Sequence, residues 1–411
     1  VLVTTRHLHD RSWFDDDALV YATLAELRES APVHRDVDED GRPYWIATRH
    51  AHVLEILAND QDFVSARGMR LGGRDESVAA AANSMLIVSD GERHRQLRRL
   101  FTRAMTPPVI RRLEDDIRGV VRTRLAGYLD APDDFVSTVA APLPALVVCS
   151  FLGIPATDAA HLGGLVTEGL ESDDAFVRLE ANSDLFLYLT ELLEQRRGQP
   201  GLDYVSALLD LIATAPAESP TDDVTDIDLV MNLAGLMIGA IETTRHAMSG
   251  GVAALAAHPE QWELLRTSRA SVETAVEEVL RWVSPGVHAM RTVTAPVSLA
   301  GQEMLPDDRV TVWLGAANRD PRAFTNPDTF DVDRRPNRHL TFGSGPHVCV
   351  GAQLARLEVR VLLDELLASV KDIRLLSPFR STATNFTRGP RSLALAVDRA
   401  SGGHTLPKGR T

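Results

Sequence analysis

The stretch Phe342-Gly343-Ser344-Gly345-Pro346-His347-Val348-Cys349-Val350-Gly351 decides how the rest of this chain is read. Three glycines and a proline exclude a regular strand or a helix interior and make it a tight loop. From Ala352 to Val370 apolar residues recur at three and four spacing with polar residues opposite, which predicts a helix. Cys349 is thereby set just before a helix N-terminus, where unpaired backbone N–H groups and the positive end of the helix dipole favour a thiolate. A thiolate ligates metals and acts as a nucleophile, and glycines around it let a flat cofactor approach the backbone. Zinc would need further Cys or His ligands at short spacing, and only His339 and His347 are near. A catalytic thiol paired with a distant histidine stays open.

Working outward, the same helical spacing covers Leu113 to Leu129, Asp184 to Arg197, Asp226 to Ala257 and Pro259 to Trp282. Extended segments are expected at Tyr44 to Thr48, after the Asp40-Gly41-Arg42-Pro43 turn, around Val293 to Leu299 and at Val310 to Leu314. Ala215 to Asp223 and Arg319 to Pro336, rich in Pro, Asp and Ser or Asn, read as loops. No internal repeat or linker breaks the pattern. The expected fold class is mainly α with small β-sheets at the edge of one large domain over residues 1–411; 411 residues with 44% apolar content suffice for a sizeable core.

A formal net charge of -14 disfavours broad nucleic-acid binding, although an acidic total can hide a local basic patch that docks an acidic partner. Val1 to Asp10 is polar and mixed, and no long unbroken apolar run occurs, so neither a signal peptide nor a membrane anchor is expected. The two cysteines, Cys149 and Cys349, are far apart, which excludes a disulfide framework and fits a reducing cytoplasm. Cys149, inside Leu146-Val147-Val148-Cys149-Ser150-Phe151, reads as a small buried hydrophobe. Only Lys371 and Lys408 are lysines; the arginine bias suits carboxylate recognition and is equally what a GC-rich genome would encode.

From Leu229 to Ile241 nearly every residue is apolar, so both faces of this helix are expected to be buried in the middle of the molecule, with Asn232 interrupting the run. The run then breaks into Gly239-Ala240-Ile241-Glu242-Thr243-Thr244, an acid and two hydroxyls in a hydrophobic setting. A buried carboxylate needs partners or a task; taken alone, Glu242 reads equally well as a solvent-facing residue at a helix end. Glu278 and Arg281 stand three apart and can pair, either on a solvated face of Glu273 to Arg281 or in an interior network.

Together these residues closely resemble the cytochrome P-450 family in its soluble bacterial branch, over nearly the whole chain. Phe342, Gly343, Gly345, His347, Cys349 and Gly351 match its cysteine loop. Glu278-Val279-Leu280-Arg281 looks like its Glu-x-x-Arg motif, and the stretch from Asn318-Arg319-Asp320-Pro321 to Asn337-Arg338-His339-Leu340 resembles the loop before the cysteine. Asp90-Gly91-Glu92-Arg93-His94-Arg95-Gln96-Leu97-Arg98-Arg99 is similar to its early helix, which without the match would read as a basic surface patch.

The resemblance implies a triangular cytochrome P-450 fold that buries haem b (iron protoporphyrin IX) between the central helix and the helix after Cys349. Cys349 would be the axial ligand. His94, Arg98, Arg291 and His347 would face the haem propionates, and arginine suits that task because its fork binds carboxylates bidentately. Phe342, Gly343 and Gly351 would line the haem. Glu278, Arg281 and Arg334 would fix the cysteine loop, and Glu242 with Thr243 would deliver protons to bound dioxygen above a kinked helix. The small pair before the acid is Gly239 then Ala240, the reverse of the family's usual order. Pocket walls would come from Arg67 to Val88, the region between Leu162 and Leu192, Gly235, Ile238, Gly239, Val287, Ala289 and near Phe386. The implied function is a monooxygenase acting on a hydrophobic molecule of secondary metabolism, free or tethered to a carrier protein. With no fused flavin or iron–sulfur domain, electrons would come from a ferredoxin and ferredoxin reductase. A haem-thiolate enzyme that isomerises, dehydrates or couples without inserting oxygen, or a haem-binding protein without turnover, remains the alternative.

Overall fold

The computed structural model describes residues 16–72, 75–105, 107–199, 201–215, 223–268 and 272–400, together with Leu8, Trp13 and Phe14. Its axis is the helix Asp226–Ala257, started by a capping box in which Thr225 and Asp228 satisfy each other's backbone N–H groups. Leu229, Leu233, Met237 and Ile241 follow at four-residue spacing and are buried, as are Ala247, Val252 and Leu255 further on. Packed around it are the helices Pro142–Leu152, Ala159–Glu171, Ala175–Arg196, Val272–Val283 and Ala352–Ser369. By length and composition the central helix could cross a membrane, yet here it is the core around which its neighbours close.

One expectation for this helix is corrected. Its apolar stretch is not buried on both faces: Met231, Gly235, Leu236 and Ile238 stay partly accessible and Gly239 is exposed. An accessible stripe through Gly235, Ile238 and Gly239 therefore runs along the helix, while Leu229, Leu233, Met237 and Ile241 belong to the packed core. Asn232 is buried and fully used, accepting from Leu86 N–H at 2.7 Å and donating to the Ser84 and Asp228 carbonyls at 2.7 Å each.

The strands are β1 (Val33–Val37), β2 (Pro43–Ala47), β3 (Phe63–Val64), β4 (His288–Val293), β5 (Val297–Leu299), β6 (Gln302–Met304), β7 (Arg309–Trp313), β8 (Val370–Leu375) and β9 (Leu395–Arg399). One sheet has the order β1-β2-β7-β4-β3; β5 pairs with β6 and β8 with β9. The extended segment expected around Val293 to Leu299 is met at its two ends, the last residue of β4 and the whole of β5, with a break at residues 294–296, where Pro296 has no N–H to give to a ladder. The helix expected over Pro259 to Trp282 is two, Pro259–Thr267 and Val272–Val283, the first stopped at Ser268. The helix predicted from Asp184 starts earlier, at Ala175, because the Asp174 carboxylate caps it by accepting from Phe176 N–H at 2.8 Å. Of the loop expected over Ala215 to Asp223, residues 216–222 lie outside the described residues.

The loop from Arg319 to Pro336 carries no helix or strand, and a buried ionic network holds it in place. Arg281 clamps Glu278 with both arms of its fork, Nε to Oε2 at 2.7 Å and Nη2 to Oε1 at 2.8 Å, and both residues are 0% exposed. Arg334 Nε adds a bond to Glu278 Oε2 at 3.0 Å, Asp331 N–H one at 2.9 Å and Asn337 Nδ2 one at 3.1 Å. The remaining guanidinium N–H groups go to loop carbonyls: Arg281 to Asn318, Pro327 and Thr329, Arg334 to Thr325, Asn326 and Thr329. A charge cluster this dry holds because nearly all of its polar groups are paired, with Asn337 Oδ1 the buried acceptor left without a partner. Arg281→Ala strands the Glu278 carboxylate in the interior and is expected to cost about 3–5 kcal/mol in urea unfolding. By contrast Arg95→Ala, on an exposed pair with Glu92, is expected to leave the unfolding midpoint nearly unchanged.

Candidate functional site

The network reaches the cysteine through Asn318. Arg281 Nη1 holds the Asn318 carbonyl at 2.8 Å. The Asn318 side chain accepts from Leu340 N–H at 2.7 Å and donates to Thr341 Oγ1 at 2.9 Å and Ser284 Oγ at 2.7 Å. Thr341 in turn donates to the Leu280 carbonyl at 2.8 Å, on the same helix as Arg281. With Leu340 and Thr341 fixed, Gly343 N–H closes on the Leu340 carbonyl at 2.8 Å and Cys349 N–H on the Phe342 carbonyl at 2.9 Å. The loop between them turns through Gly343 (φ 71°) and Gly345 (φ 69°). Gly345 has a second reason to lack a side chain, since a Cβ there would meet the Leu57 carbonyl and stand 2.9 Å from Ala58 Cα. The need for glycine at this turn is therefore local packing against the helix His50–Ala58 as well as access to the cysteine.

Gly351 ends the loop and occupies the position before helix Ala352–Ser369, so Cys349 lies just ahead of that helix. A Cβ at Gly351 would sit 3.9 Å from Cys349 Sγ. Cys349 keeps accessible surface while protein encloses it. Burial pushes its thiol up, against the backbone N–H of Gly351 and the guanidinium groups of Arg98 and Arg356, which favour the thiolate. Cys149, by contrast, is buried in the apolar core and pushed up to about 12, the inert thiol expected.

Arg98, on helix Gly91–Ala104, donates from Nη1 to the Val348 carbonyl at 2.5 Å, directly beside the cysteine. His94, one turn earlier, is 3% exposed, and its Nε2 has no hydrogen-bond partner. Its ring lies 4.1 Å from that of His347, centroid to centroid. His347 is already engaged, with Nε2 at 3.3 Å from Asp90 Oδ1 and 3.5 Å from Ser65 Oγ. Arg291, on β4, is 6% exposed and donates to the Met290 carbonyl at 2.8 Å; it has no ion pair among the described residues. Burial pulls its pKa down to about 10, with Asp90 as the opposing charge. His94, His347, Arg98 and the cysteine loop are thus brought together. Arg291 faces the same Asp90 electrostatically.

Sequence reasoning missed several members of this site. Glu277, beside the motif acid, takes a bidentate grip from Arg356 at 2.7 and 3.0 Å and a contact from His339 Nε2 at 3.1 Å. Against burial, those partners hold Glu277 down to about 2. The pair ties the helix after the cysteine to the Glu-x-x-Arg helix, and Arg356 also lies over the Phe342 ring, 4.5 Å from its centroid. Asp90 likewise was read only as a flank of the early helix. Its carboxylate accepts from the Ser65 and Ala66 N–H groups at 2.9 and 2.7 Å and holds His347.

On the central helix Glu242 is 0% exposed. Its Oε1 accepts from Thr167 Oγ1 at 2.7 Å and its Oε2 lies 2.5 Å from Arg245 Nη2, so the solvent-facing alternative does not hold. Thr243 is partly accessible and its hydroxyl donates to the Gly239 carbonyl. The two neighbours thus occupy different settings, the acid inside a polar cluster and the hydroxyl on the accessible stripe. The helix runs without interruption through this point, and the Thr243 back-bond to the Gly239 carbonyl is its local perturbation. A Cβ at Gly239 would meet nothing within 4 Å, whereas one at Gly235 would collide with Met85 Cε. Ile238 and Ala289 are partly accessible. Val287 is 8% exposed, within the small core of Trp13, Phe14, Tyr44 and Trp313.

Comparison with known proteins follows the same outline. The family model described as Cytochrome P450 matches residues 176–371. Cytochrome P450 126 of Mycobacterium tuberculosis is 37% identical over 396 residues, 93% of this chain and 95% of the relative. The methyl-branched lipid omega-hydroxylase of the same organism is 33% identical over 394 residues, 89% of this chain and 90% of the relative. The crystal structure of P450 OxyD, involved in the biosynthesis of vancomycin-type antibiotics, superposes with a TM-score of 0.86 at 33% identity, covering 96% of this chain and all of that one.

Buried histidines contribute to the loss of stability in acid. His288 Nε2 accepts from Leu71 N–H at 3.0 Å, so its Nδ1, at 2.6 Å from the Asn385 carbonyl, carries the proton and the ring is neutral. Burial pushes both His94 and His288 down to about 4. The unfolded chain takes up those protons near the ordinary value of 6.5, so their contribution to stability is whole above that pH and is lost as the pH falls toward 4. Urea midpoints are expected to fall across this window, and less steeply in His288→Gln. Midpoints that rise on acidification would contradict the neutral assignment.

Proposed function

The chain belongs to the cytochrome P450 family and is an oxidoreductase of the monooxygenase kind, and on that premise we propose that it inserts one oxygen atom from dioxygen into a hydrophobic organic molecule, by hydroxylation or epoxidation, in secondary metabolism. Cys349 carries this reading: an accessible cysteine enclosed by protein, ahead of a helix N-terminus, in a loop fixed from below by a buried ionic network.

The residues fit a haem. The unpartnered Nε2 of His94, and Arg291 with no ion pair among the described residues, are what two propionates require. Arg98 completes the cationic side, and His347, held by Asp90, orients the His94 ring. Cys349 would be the axial ligand, with Phe342, Gly343 and Gly351 shaping its loop. Bound there as haem b, the group would supply dioxygen activation, the thiolate favouring O–O cleavage.

The chain's own residues do the rest. Thr243 presents a hydroxyl on the accessible stripe, with its proton on the Gly239 carbonyl and its oxygen free to accept one. Burial pushes the Glu242 carboxyl up, offset by Arg245 and Thr167, which favours its protonated form as a source of protons passed toward Thr243 through water. Gly235, Ile238, Gly239 and Ala289 form the substrate wall, and Val287 supports it from the core side; these apolar surfaces keep bulk water from the reacting bond. As in the family resemblance, the electron donors would be a ferredoxin and its reductase. Arg95 and Arg99, exposed on the helix that carries Arg98, offer such a donor a basic face.

Turnover under labelled dioxygen with surrogate redox partners tests the proposal. One labelled oxygen atom in the product is expected, and Thr243→Ala is expected to consume electrons at a similar rate while product falls about tenfold or more and peroxide rises. Product without label would replace oxygen insertion with coupling or isomerisation. Unchanged coupling in Thr243→Ala would remove the hydroxyl from the proton path.

A further inference from the structure

Side chains alternate along a strand, so on β4 Ala289 and Arg291 share one face and His288 and Met290 the other. Ala289 belongs to the proposed substrate wall and Arg291 to the proposed haem edge. The opposite face is apolar core, where Met290 packs with Leu71, Trp13, Phe14 and Trp313. His288 lies in it, 3% exposed, its ring stacked on Trp313 with centroids 5.4 Å apart. A polar ring so placed needs partners. It has two, on segments far apart in sequence: Nε2 accepts from Leu71 N–H at 3.0 Å, and Nδ1 donates to the Asn385 carbonyl at 2.6 Å.

Backbone bonds bring both segments to the same strand end. Met290 N–H donates to the Met69 carbonyl at 2.8 Å, and Val287 N–H to the Phe386 carbonyl at 2.9 Å. Neither contact grows into a ladder: β3 pairs with β4 at Thr292 and Val293, and Gly286 with Thr387 is an isolated bridge. Arg70 adds a contact over the Phe386 ring, 5.0 Å from its centroid. The chain that leaves Leu71 returns to the central helix at Ser84 and Leu86, where Asn232 holds the Ser84 carbonyl and the Leu86 N–H. Met85 between them abuts Gly235 of the proposed wall. The stretch from Leu71 to Met85 is therefore anchored by Asn232 at one end and by His288 at the other. We propose that His288 is a positioning residue for the substrate: its imidazole clamps the segment entered at Leu71 to the one that carries Phe386, and so sets the width of the pocket beside Ala289. The assignment rests on the pocket given to Gly235, Gly239 and Ala289 above. It concerns shape alone, with no bond made or broken.

The two arms of the clamp are separable. An asparagine amide stands where Nδ1 does and a glutamine amide where Nε2 does, so His288→Asn keeps the bond to Asn385, His288→Gln keeps the bond to Leu71, and His288→Ala keeps neither. Residue-resolved hydrogen exchange of the full chain reads the clamp itself. Exchange at Leu71 N–H is expected to rise about tenfold or more in His288→Asn and His288→Ala and to stay near the parent rate in His288→Gln, with Met290 N–H unchanged as the control for global loosening. Two iron ligands read its consequence in the haem-loaded protein through their Soret shifts: imidazole, which reaches little beyond the iron, and 4-phenylimidazole, which also fills the space beside it. The preference for 4-phenylimidazole is expected to fall about fivefold or more in His288→Ala and by less in the two single-arm variants, while the imidazole constant holds. If His288→Ala does not fold, the single-arm variants carry the same comparison. An unchanged preference, an equal loss for both ligands, or Leu71 exchange that is the same in every variant overturns the proposal. Neither measurement needs turnover, so the clamp can fail while labelled oxygen enters the product. A chain that took up no haem would refute the haem reading and leave the Leu71 exchange to decide the clamp.

Discussion

The position of Cys349 depends on one buried carboxylate. Glu278 accepts from Arg281 twice, from Arg334, from Asn337 and from the Asp331 backbone, with no exposed surface. Two arginines around one acid leave a surplus of N–H donors, and these gather carbonyls from Asn318 to Thr329 into a fixed irregular loop. Asn318 then passes that order to Leu340 and Thr341, and they to the turn that ends on Cys349. An irregular segment cannot satisfy its own backbone, so its shape must be imposed by side chains. Here the imposing side chains are charged, which makes the geometry stiff and intolerant of loss.

Around the cysteine the logic is reversed. The network beneath it leaves few polar groups unused, whereas the groups beside it are under-satisfied: His94 Nε2 without a partner and Arg291 with a single backbone carbonyl. Buried polar groups are ordinarily paired, and exceptions concentrate where a ligand completes them. The contrast between the support and the rim fits the proposed place of an anionic cofactor edge. The central helix repeats the division, with a packed apolar side and an accessible stripe running through Gly235, Ile238, Gly239 and Thr243.

Much of this was legible in sequence because it is local. The glycines of the cysteine loop, the helix that follows it, the three-residue step from Glu278 to Arg281 and the four-residue step from His94 to Arg98 are all contained in short windows where spacing implies proximity. The apolar run from Leu229 announced a core helix, but hydrophobicity does not distinguish a wall facing a packed core from one facing an apolar interior space, so full burial was expected where a stripe is open. What escaped notice was the pairing between distant elements: Glu277 with Arg356, Asp90 with His347, and Arg245 with Glu171. Charged residues carry no periodicity that names a partner across many positions. Only the fold brings the members of each pair together.

Thiolate ligation through Cys349 is tested most directly by the absorption spectrum of the reduced, carbon monoxide-bound, haem-loaded protein. A red-shifted Soret band of the thiolate type is expected in the parent chain and lost in Cys349→Ala. Its absence from freshly folded parent protein, or its survival without Cys349, would contradict the assignment on which the site is built.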